Sequence, residues 1–125
     1  MDTKQVAEKL VDFCRRGKNL DAVNTLYDKD IVSIEAQGSP EMPAEQRGIE
    51  AIRRKHQWWN ENMDVHSSEV SGPFSNGDQF TVLYNYEFTP KNGPGKGKRT
   101  KMQEVGLYSL KNGKIVREEF LPLAQ

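Results

Sequence analysis

Two carboxylates, Glu104 and Glu118, stand in alternating segments whose neighbouring positions are mainly apolar. Every second side chain of a β-strand lies on the same face. Glu104 would therefore share a face with Met102 and Tyr108, and Glu118 would share one with Phe120. Burying an ionised carboxylate in apolar surroundings is costly unless the group is paired or protonated. Each glutamate is thus either a paired structural charge or an acid or base that takes part in chemistry.

Glu104 is the first candidate for a catalytic acid or base, because its predicted face also carries a tyrosine hydroxyl. A buried ion pair of Glu104 with Arg117, Lys55 or a helix donor explains the same pattern, and both interpretations stay open. Glu35 is a further candidate, since it shares a face with Ser33 in an earlier alternating segment. For Glu35 we favour a solvated position at the mouth of a pocket.

Other side chains have the chemistry for proton transfer or for binding an oxyanion. An ordinary histidine has a pKa of about 6.5, which would suit His66 to proton transfer at neutral pH, although a structural role is the simpler interpretation. The Tyr108 hydroxyl can donate a hydrogen bond to a developing oxyanion. His56 lies in the apolar stripe of a predicted helix and is interpreted as a core residue. The two histidines with Glu35 or Glu104 match no tight metal-binding motif, so we expect no metal and no other cofactor.

Aromatic and long side chains near these candidates are predicted to form the walls of a ligand pocket. Trp58 and Trp59 differ by about 100° around a helix, so one would pack in the core while the other reaches the pocket rim. Lys55 would either pair with a buried carboxylate or extend to water. For Glu118 the alternative is an ion pair with Lys101 or Lys55. The predicted pocket residues are Tyr27, Lys55, Trp58, Trp59, Tyr84, Met102 and Glu118.

Three helices are predicted in the first half of the chain to position these residues. The first, Thr3–Arg16, begins with a capping box at Asp2 and Gln5 and carries an apolar stripe at helical spacing. Asn19 is predicted to cap a second, short helix. The third helix, from Gly48 to Asn62, carries both tryptophans. These signals predict helical packing against a common core.

Period-2 alternation predicts five strands. Lys111-Asn112-Gly113 separates the last two, and an Asn-Gly turn between alternating segments is the strongest short-range signal of a hairpin. Residues 37–46, with two prolines, are predicted to form a loop, and the Gly-rich and Lys-rich residues 90–98 a hairpin tip. The predicted strands are Ile31–Ala36, a segment from Val65 to Gly72-Pro73, Gln79–Thr89, Thr100–Leu110 and Lys114–Leu121.

The bulk composition excludes several classes of function. The 125 residues suit one domain spanning 1–125, and 18 basic residues balance 18 acidic ones, so no general field favours nucleic acid or an anionic membrane. No apolar segment approaches the roughly 20 residues of a membrane span, and the polar start is unlike a signal peptide. The one cysteine, Cys14, cannot form an internal disulfide, which fits a reducing compartment. We therefore expect a cytoplasmic protein that binds neither nucleic acid nor membrane.

The order of the predicted elements defines a fold class. Two helices, a strand, a third helix and four consecutive strands cannot alternate as in a parallel sheet. The helices must instead pack on one face of a curved, mostly antiparallel sheet, which is an α+β arrangement. A strongly bent sheet wrapped over helices leaves a conical hollow, and that hollow is the natural place for a ligand.

Three blocks of sequence carry a family resemblance over nearly the whole chain. They are Leu26–Ile34, preceded by Phe13; Arg47–Ile52; and Gly106–Tyr108, followed by Asn112–Val116. With these blocks the chain resembles the SnoaL-like, polyketide cyclase-related branch of the NTF2-like (ketosteroid isomerase-like) superfamily. The resemblance implies a cystatin-like cone, commonly a homodimer formed through the outer face of the sheet.

The same resemblance implies two kinds of function. Family members include isomerases, cyclases and dehydratases that use pocket Asp, His or Tyr residues, and also non-catalytic binders and interaction modules. The ketosteroid isomerase triplet has no clear match, because Ser33 and Glu35 stand where an early-strand Asp base is expected. We therefore expect a protein that binds a small apolar ligand, acting as a cofactor-free isomerase, cyclase or dehydratase on a carbonyl compound. The alternative is a non-catalytic ligand carrier or dimeric interaction module.

Overall fold

A computed structural model describes residues 1–40 and 42–123. Within these residues, three helices are followed and interrupted by strands that all join one curved sheet. The helices are α1 (Thr3–Arg15), α2 (Asn19–Leu26) and α3 (Ile49–Asn62). The strands are β1 (Tyr27–Ile34), β2 (Glu45–Arg47), β3 (Met63–Asn76), β4 (Gln79–Pro90), β5 (Thr100–Lys111) and β6 (Lys114–Pro122). The predicted α+β class is confirmed.

The strands lie in the order β2-β1-β6-β5-β4-β3. All neighbouring strands are antiparallel except β1 and β6, which are parallel. The last strand is therefore flanked by the first and by β5. This arrangement joins the early strand that carries Ser33 to the late strand that carries Glu118, with Cα atoms of the two residues in register.

The predicted hairpin between β5 and β6 is confirmed. Asn112 and Gly113 have φ angles of 53° and 77°, the left-handed backbone that a two-residue turn of this type requires. Lys111 pairs with Lys114 on either side of the turn, and Tyr108 pairs with Glu118 further along the hairpin. The turn thereby sets the inward-facing residues of the two strands beside each other.

The core lies between the helices and the inner face of the sheet. Helix α1 begins with the predicted capping box, in which the Asp2 carboxylate accepts from the Gln5 backbone N–H and the Gln5 side chain accepts from the Asp2 N–H. The helix buries Val6 and Leu10 against this core, and the inner face of β4 contributes Phe80, as its alternation predicts. Since both layers supply apolar side chains, the core fixes how the helices sit over the sheet.

Two predicted strands and one predicted loop differ from the structure by more than one residue. Strand β1 spans Tyr27–Ile34 rather than Ile31–Ala36, and its pairing with β6 extends it backwards across a bulge. Strand β2 lies within and just after the segment predicted as a loop; it is three polar residues long and has no hydrophobic period to predict it. Strand β3 continues through Gly72 and Pro73 to Asn76, with a register shift there that keeps its pairing with β4. These are effects of strand pairing that local patterns do not carry.

Candidate active site

A cavity of about 440 Å³ opens between the helices and the inner face of the sheet. All but one of the predicted site residues line it. Those with ionisable or hydroxyl groups are Glu35, Glu104, Glu118, Lys55, Tyr27, Tyr84 and Tyr108, and the others are Trp58, Trp59 and Met102. The exception is His66. The cavity is therefore a mainly apolar chamber whose described lining residues include three carboxylates and one ammonium group.

Glu118 is buried in the wall of this cavity and is hydrogen-bonded through both of its carboxylate oxygens. Its side chain is 1% exposed, and the Tyr27 hydroxyl donates a hydrogen bond to Oε2. The Ser33 hydroxyl donates to Oε1 over 2.8 Å, and Lys55 Nζ lies 3.8 Å from the same oxygen. Of the two alternatives for an ion pair, Lys55 is the partner rather than Lys101. Burial and the Glu118 carboxylate raise the pKa of Tyr27 well above its usual value, so Tyr27 remains a neutral donor.

Lys55 turns inward from α3 and connects two of the carboxylates. Its Nζ donates to Glu35 Oε1 over 2.7 Å and to the Ser33 hydroxyl over 2.8 Å. The same nitrogen lies 4.8 Å from the centre of the Phe120 ring, a cation–π contact. Glu35 was expected to be solvated at the pocket mouth. It is instead ion-paired at the cavity wall, with its side chain 31% exposed. Of the two alternatives left open for Lys55, the structure shows pairing with a buried carboxylate rather than extension to water.

Glu104 differs from the other two carboxylates because it has no partner. Within residues 1–40 and 42–123 it makes no side-chain hydrogen bond and no ion pair, and Arg117, one expected partner, pairs with Glu119 on the other face. Every fully inaccessible side-chain oxygen in these ranges has a hydrogen-bond partner, so the Glu104 oxygens are reached from the cavity. The pKa of Glu104 is raised from 4.5 to about 7; burial is the largest cause, repulsion from Glu35 adds to it, and Lys55 opposes it.

A pair of buried tyrosines forms a second polar group at the cavity. The hydroxyl oxygens of Tyr84 and Tyr108 are 2.5 Å apart, and burial raises the pKa of both hydroxyls well above the usual range. Both hydroxyls are thus neutral, and one donates to the other. Each hydroxyl carries one proton. The hydroxyl that accepts within the pair can therefore still donate its own proton in a hydrogen bond to a third group. The pair can therefore donate a hydrogen bond to an oxygen in the cavity.

Both tryptophans are half-buried and line the cavity, so neither is the fully buried core residue that was expected of one of them. The Trp59 ring packs on Phe88 and Tyr86, with ring centres 5.1 and 6.2 Å away, and so joins the aromatic face of β4. Trp58, one position earlier on α3, also borders the cavity. Both rings form part of the apolar wall of the cavity, which favours a ligand that is flat and mainly apolar.

Three titratable residues of the cavity, His56, Cys14 and Tyr86, were not among the predicted pocket residues. His56 was interpreted as a core residue, yet it lines the cavity; burial and Lys55 lower its pKa to about 4, so its imidazole is neutral. Cys14 also reaches the cavity from α1, and burial raises the pKa of its thiol to about 11. For His56 a usable signal existed, because it lies one helical turn before Trp59 on the same stripe. Cys14 has no comparable signal, since a small residue in an apolar stripe is normally core.

His66 does not join the candidate site. It lies on β3 at a register shift between Val65 and Ser67, and its side chain is exposed. Its Nε2 lies 2.7 Å from the Thr89 hydroxyl on the neighbouring strand. His66 therefore lies outside the cavity lining, and the structure does not bring it together with the other predicted site residues.

Residues 1–40 and 42–123 contain no group of three or more His, Cys, Asp or Glu side chains placed to hold a metal ion. In the same part of the chain, none of the helices has the length and apolar character needed to cross a membrane.

Comparison with known proteins places this architecture in a family. A family model described as a SnoaL-like domain matches residues 1–121. A Mesorhizobium loti protein described as a candidate SnoaL-like polyketide cyclase and carbohydrate phosphatase is 42% identical; the match covers 96% of this chain and 98% of that one, with a TM-score of 0.88. An NTF2-like protein from Burkholderia thailandensis has a TM-score of 0.82 at 18% identity, covering 98% and 92% of the two chains.

A Xanthomonas campestris protein of unknown function with a cystatin-like fold has a TM-score of 0.74 at 16% identity, covering 100% of this chain and 93% of that one. These two distant likenesses show the fold alone. The comparison with curated proteins finds no significant match. On the strength of the match to residues 1–121 and the 42% identical relative, the chain belongs to the SnoaL-like family.

Proposed function

We propose that the protein binds a small, mainly apolar carbonyl compound in its cavity and catalyses proton transfer at the carbon beside the carbonyl, without a cofactor. The family supports small-ligand binding, and the description of the Mesorhizobium relative includes cyclisation of polyketides, which are carbonyl-rich. The catalytic residues in this proposal are Glu104, as the base, and the tyrosine pair. Glu35 and Lys55 have the role of shaping the charge around the base.

One observation carries the proposal: the three cavity carboxylates differ in their partners. Glu118 accepts two hydrogen bonds and Glu35 is ion-paired, whereas Glu104 has no partner among the described residues. An unpartnered carboxylate costs stability, which a structural role does not explain. A base whose pKa is about 7 is ionised in part at neutral pH and still strong enough to take a carbon-bound proton.

The geometry supports a simple sequence of steps. The Glu104 carboxylate takes a proton from the carbon next to the carbonyl, and the electron pair of that C–H bond moves to the carbonyl oxygen to give an enolate. The free hydroxyl proton of the Tyr84–Tyr108 pair hydrogen-bonds the enolate oxygen. In isomerisation, protonated Glu104 returns its proton to another carbon. In aldol-type cyclisation the enolate carbon attacks a second carbonyl and Glu104 protonates the alkoxide that forms; in dehydration the enolate expels a hydroxyl as a C=C bond forms, and Glu104 protonates it to water. Isomerisation, aldol-type cyclisation and dehydration all begin with this enolate.

Deuterium exchange tests the first step without knowledge of the natural substrate. The protein is incubated in D₂O with uncharged aromatic ketones such as 2-tetralone, and loss of the proton beside the carbonyl is followed by NMR. We expect the wild type to accelerate exchange and Glu104→Gln to reduce the acceleration at least about a hundredfold, the usual contribution of a positioned base. The matched control is Glu119→Gln, on the opposite face of β6, which should retain the wild-type rate.

Exchange that survives Glu104→Gln within a few-fold would show that Glu104 is not the base. Ketone binding without any exchange in the wild type would favour the alternative function, a non-catalytic carrier. The fully satisfied group of Glu118, Tyr27, Ser33 and Lys55 suits either function, since it positions the cavity wall without taking part in transfer.

We further propose a cytoplasmic homodimer formed through the outer face of the sheet. The outer face carries adjacent, partly exposed apolar residues, with Leu83 paired to Val105 and Val105 paired to Leu121, which is 45% exposed. Sedimentation velocity tests this: Leu121→Lys should produce a monomer. The control, Leu20→Lys, replaces a similarly exposed leucine on α2 and should leave the dimer intact. A monomeric wild type would overturn the proposal.

A further inference from the structure

We propose that the cavity selects ligands without negative charge, and that Glu35 sets this selectivity by neutralising Lys55. The inference rests on the proposed function, because it specifies the charge of the ligand that the cavity binds. It assigns the substrate class as uncharged or cationic carbonyl compounds and excludes keto acids and phosphorylated compounds.

Three of the elements around the cavity bring carboxylates to it. Glu35 follows β1, Glu104 lies on β5 and Glu118 on β6, while α3 supplies Lys55 as the cationic side chain among the described lining residues. The other titratable groups at the cavity are His56, Cys14 and the tyrosines, all uncharged near neutral pH. Acidic groups therefore outnumber basic ones wherever a ligand would sit.

Lys55 is not available to an anionic ligand. Its ammonium group donates to Glu35 and to Ser33, and it lies 3.8 Å from a Glu118 oxygen. The face of Phe120 occupies another side of the same group, at 4.8 Å. An anion could reach Lys55 only by displacing Glu35, which would leave a second carboxylate uncompensated.

Glu104 is the charge that a ligand would meet. Its oxygens are reached from the cavity, and it has no partner within residues 1–40 and 42–123. A second anion beside it would lose its hydration and gain only repulsion. A cation would compensate Glu104 and also contact the faces of Trp59 and Tyr86, which attract positive charge.

A series of naphthalene compounds that share the ring and a two-carbon side chain but differ in charge tests the proposal. The probes are 2-naphthylacetamide, 2-naphthylacetate and 2-(2-naphthyl)ethylamine, and binding is measured by quenching of tryptophan fluorescence at constant ionic strength. We expect the acetamide and the amine to bind at least about tenfold more tightly than the acetate at pH 8, which lies above the pKa of about 7 of Glu104. Equal affinity of the acetamide and the acetate would overturn the charge selection.

Variants then locate the selectivity. Glu35→Gln frees Lys55 from its nearest carboxylate, so acetate affinity should rise about tenfold while acetamide affinity stays within a factor of two or three. Glu119→Gln removes a carboxylate from the opposite face and should change neither affinity. If Glu35→Gln does not fold, Glu104→Gln provides the second test, since removing that carboxylate should also raise acetate affinity.

The outcomes separate this inference from the proposed function. Tight acetate binding together with Glu104-dependent exchange would retain the function and reject the charge rule. Rejection of acetate without any deuterium exchange would retain the charge rule and favour a carrier. Failure of all three probes to bind at millimolar concentration would reject the cavity as a ligand site and with it both proposals.

Discussion

The phenol ring of Tyr108 lies directly over Gly106, two residues earlier on the same face of β5. A Cβ atom added to Gly106 would lie 2.8 Å from Tyr108 Cε2 and 3.0 Å from its hydroxyl oxygen. No real Cβ contact is that short, and Tyr108 is 2% exposed and stacked on Phe80, with ring centres 4.8 Å apart. Glycine at this position is therefore what allows the tyrosine hydroxyl to meet Tyr84.

Gly106→Ala is expected to lower the free energy of unfolding by about 1–3 kcal/mol, because overpacking forces a buried ring off its position. Urea unfolding measures the change. In a Tyr108→Leu background the clash is removed, so the same substitution should cost less than half as much. An additive double variant would show that the ring of Tyr108 is not what Gly106 accommodates.

Glu104→Gln is expected to stabilise the protein at pH 8 and to change its stability little at pH 4. The pKa of Glu104 rises from 4.5 to about 7 on folding, so between these values the folded state binds more protons than the unfolded state. Stability from this group therefore falls as the pH rises through that window, by on the order of 3 kcal/mol. Denaturant unfolding at both pH values measures the difference.

The control for this measurement is Glu119→Gln, whose effect should stay within about 0.5 kcal/mol at both pH values because its ion pair with Arg117 is partly exposed. A loss of stability in Glu104→Gln at pH 8 would contradict the unpartnered state of Glu104 and restore the interpretation of a structural ion pair.

Glu118→Gln is expected to have the opposite effect and to destabilise the protein by about 1.5–3 kcal/mol. The substitution replaces a charged acceptor of the Tyr27 and Ser33 hydrogen bonds by an amide, one end of which cannot accept. Thermal and urea unfolding beside Glu104→Gln make the comparison direct. If the two variants shifted stability in the same direction, the different roles assigned to these carboxylates would be wrong.

Cys14 should react slowly with iodoacetamide in the folded protein. Its pKa of about 11, against an ordinary 9.0, lowers the thiolate fraction at pH 8 about a hundredfold, and its burial adds a further barrier. Mass spectrometry of the alkylated chain gives the rate, with the urea-unfolded chain as reference and Cys14→Ser as the blank. A folded-state rate within tenfold of the unfolded one would contradict the buried, protonated thiol.

Much of the sheet was predictable because its signals are local. Alternation placed Glu104 and Glu118 on inward faces, and the positive φ angles of Asn112 and Gly113 match the turn that their residue types predicted. The capping box at Asp2 is equally local. Patterns within a few residues therefore predicted the orientation of the cavity carboxylates.

Partner choice was not predictable, because it depends on pairing across the fold. Lys55 was one of two partners predicted for Glu118, but nothing near Lys55 in the sequence indicates that it also meets Glu35, and only the parallel register of β1 and β6 brings Ser33 beside Glu118. The sequence likewise carries no signal for the register shift at His66 in β3, where that side chain is exposed outside the cavity lining. Alternation along a strand predicts which face of the sheet a side chain lies on only where no bulge shifts the register.

The position of β6 between β1 and β5 also has a consequence for synthesis. A nascent chain that ends at Lys111 contains the three helices, β1, β2 and the β3–β4–β5 meander. It lacks β6, the strand that hydrogen-bonds to both β1 and β5. It also lacks Glu118, so Tyr27 and Ser33 have not yet met their buried acceptor. The apolar faces stay open to chaperones and to other nascent chains until residues 114–122 leave the ribosome, and the final closure of the core is then a single long-range event.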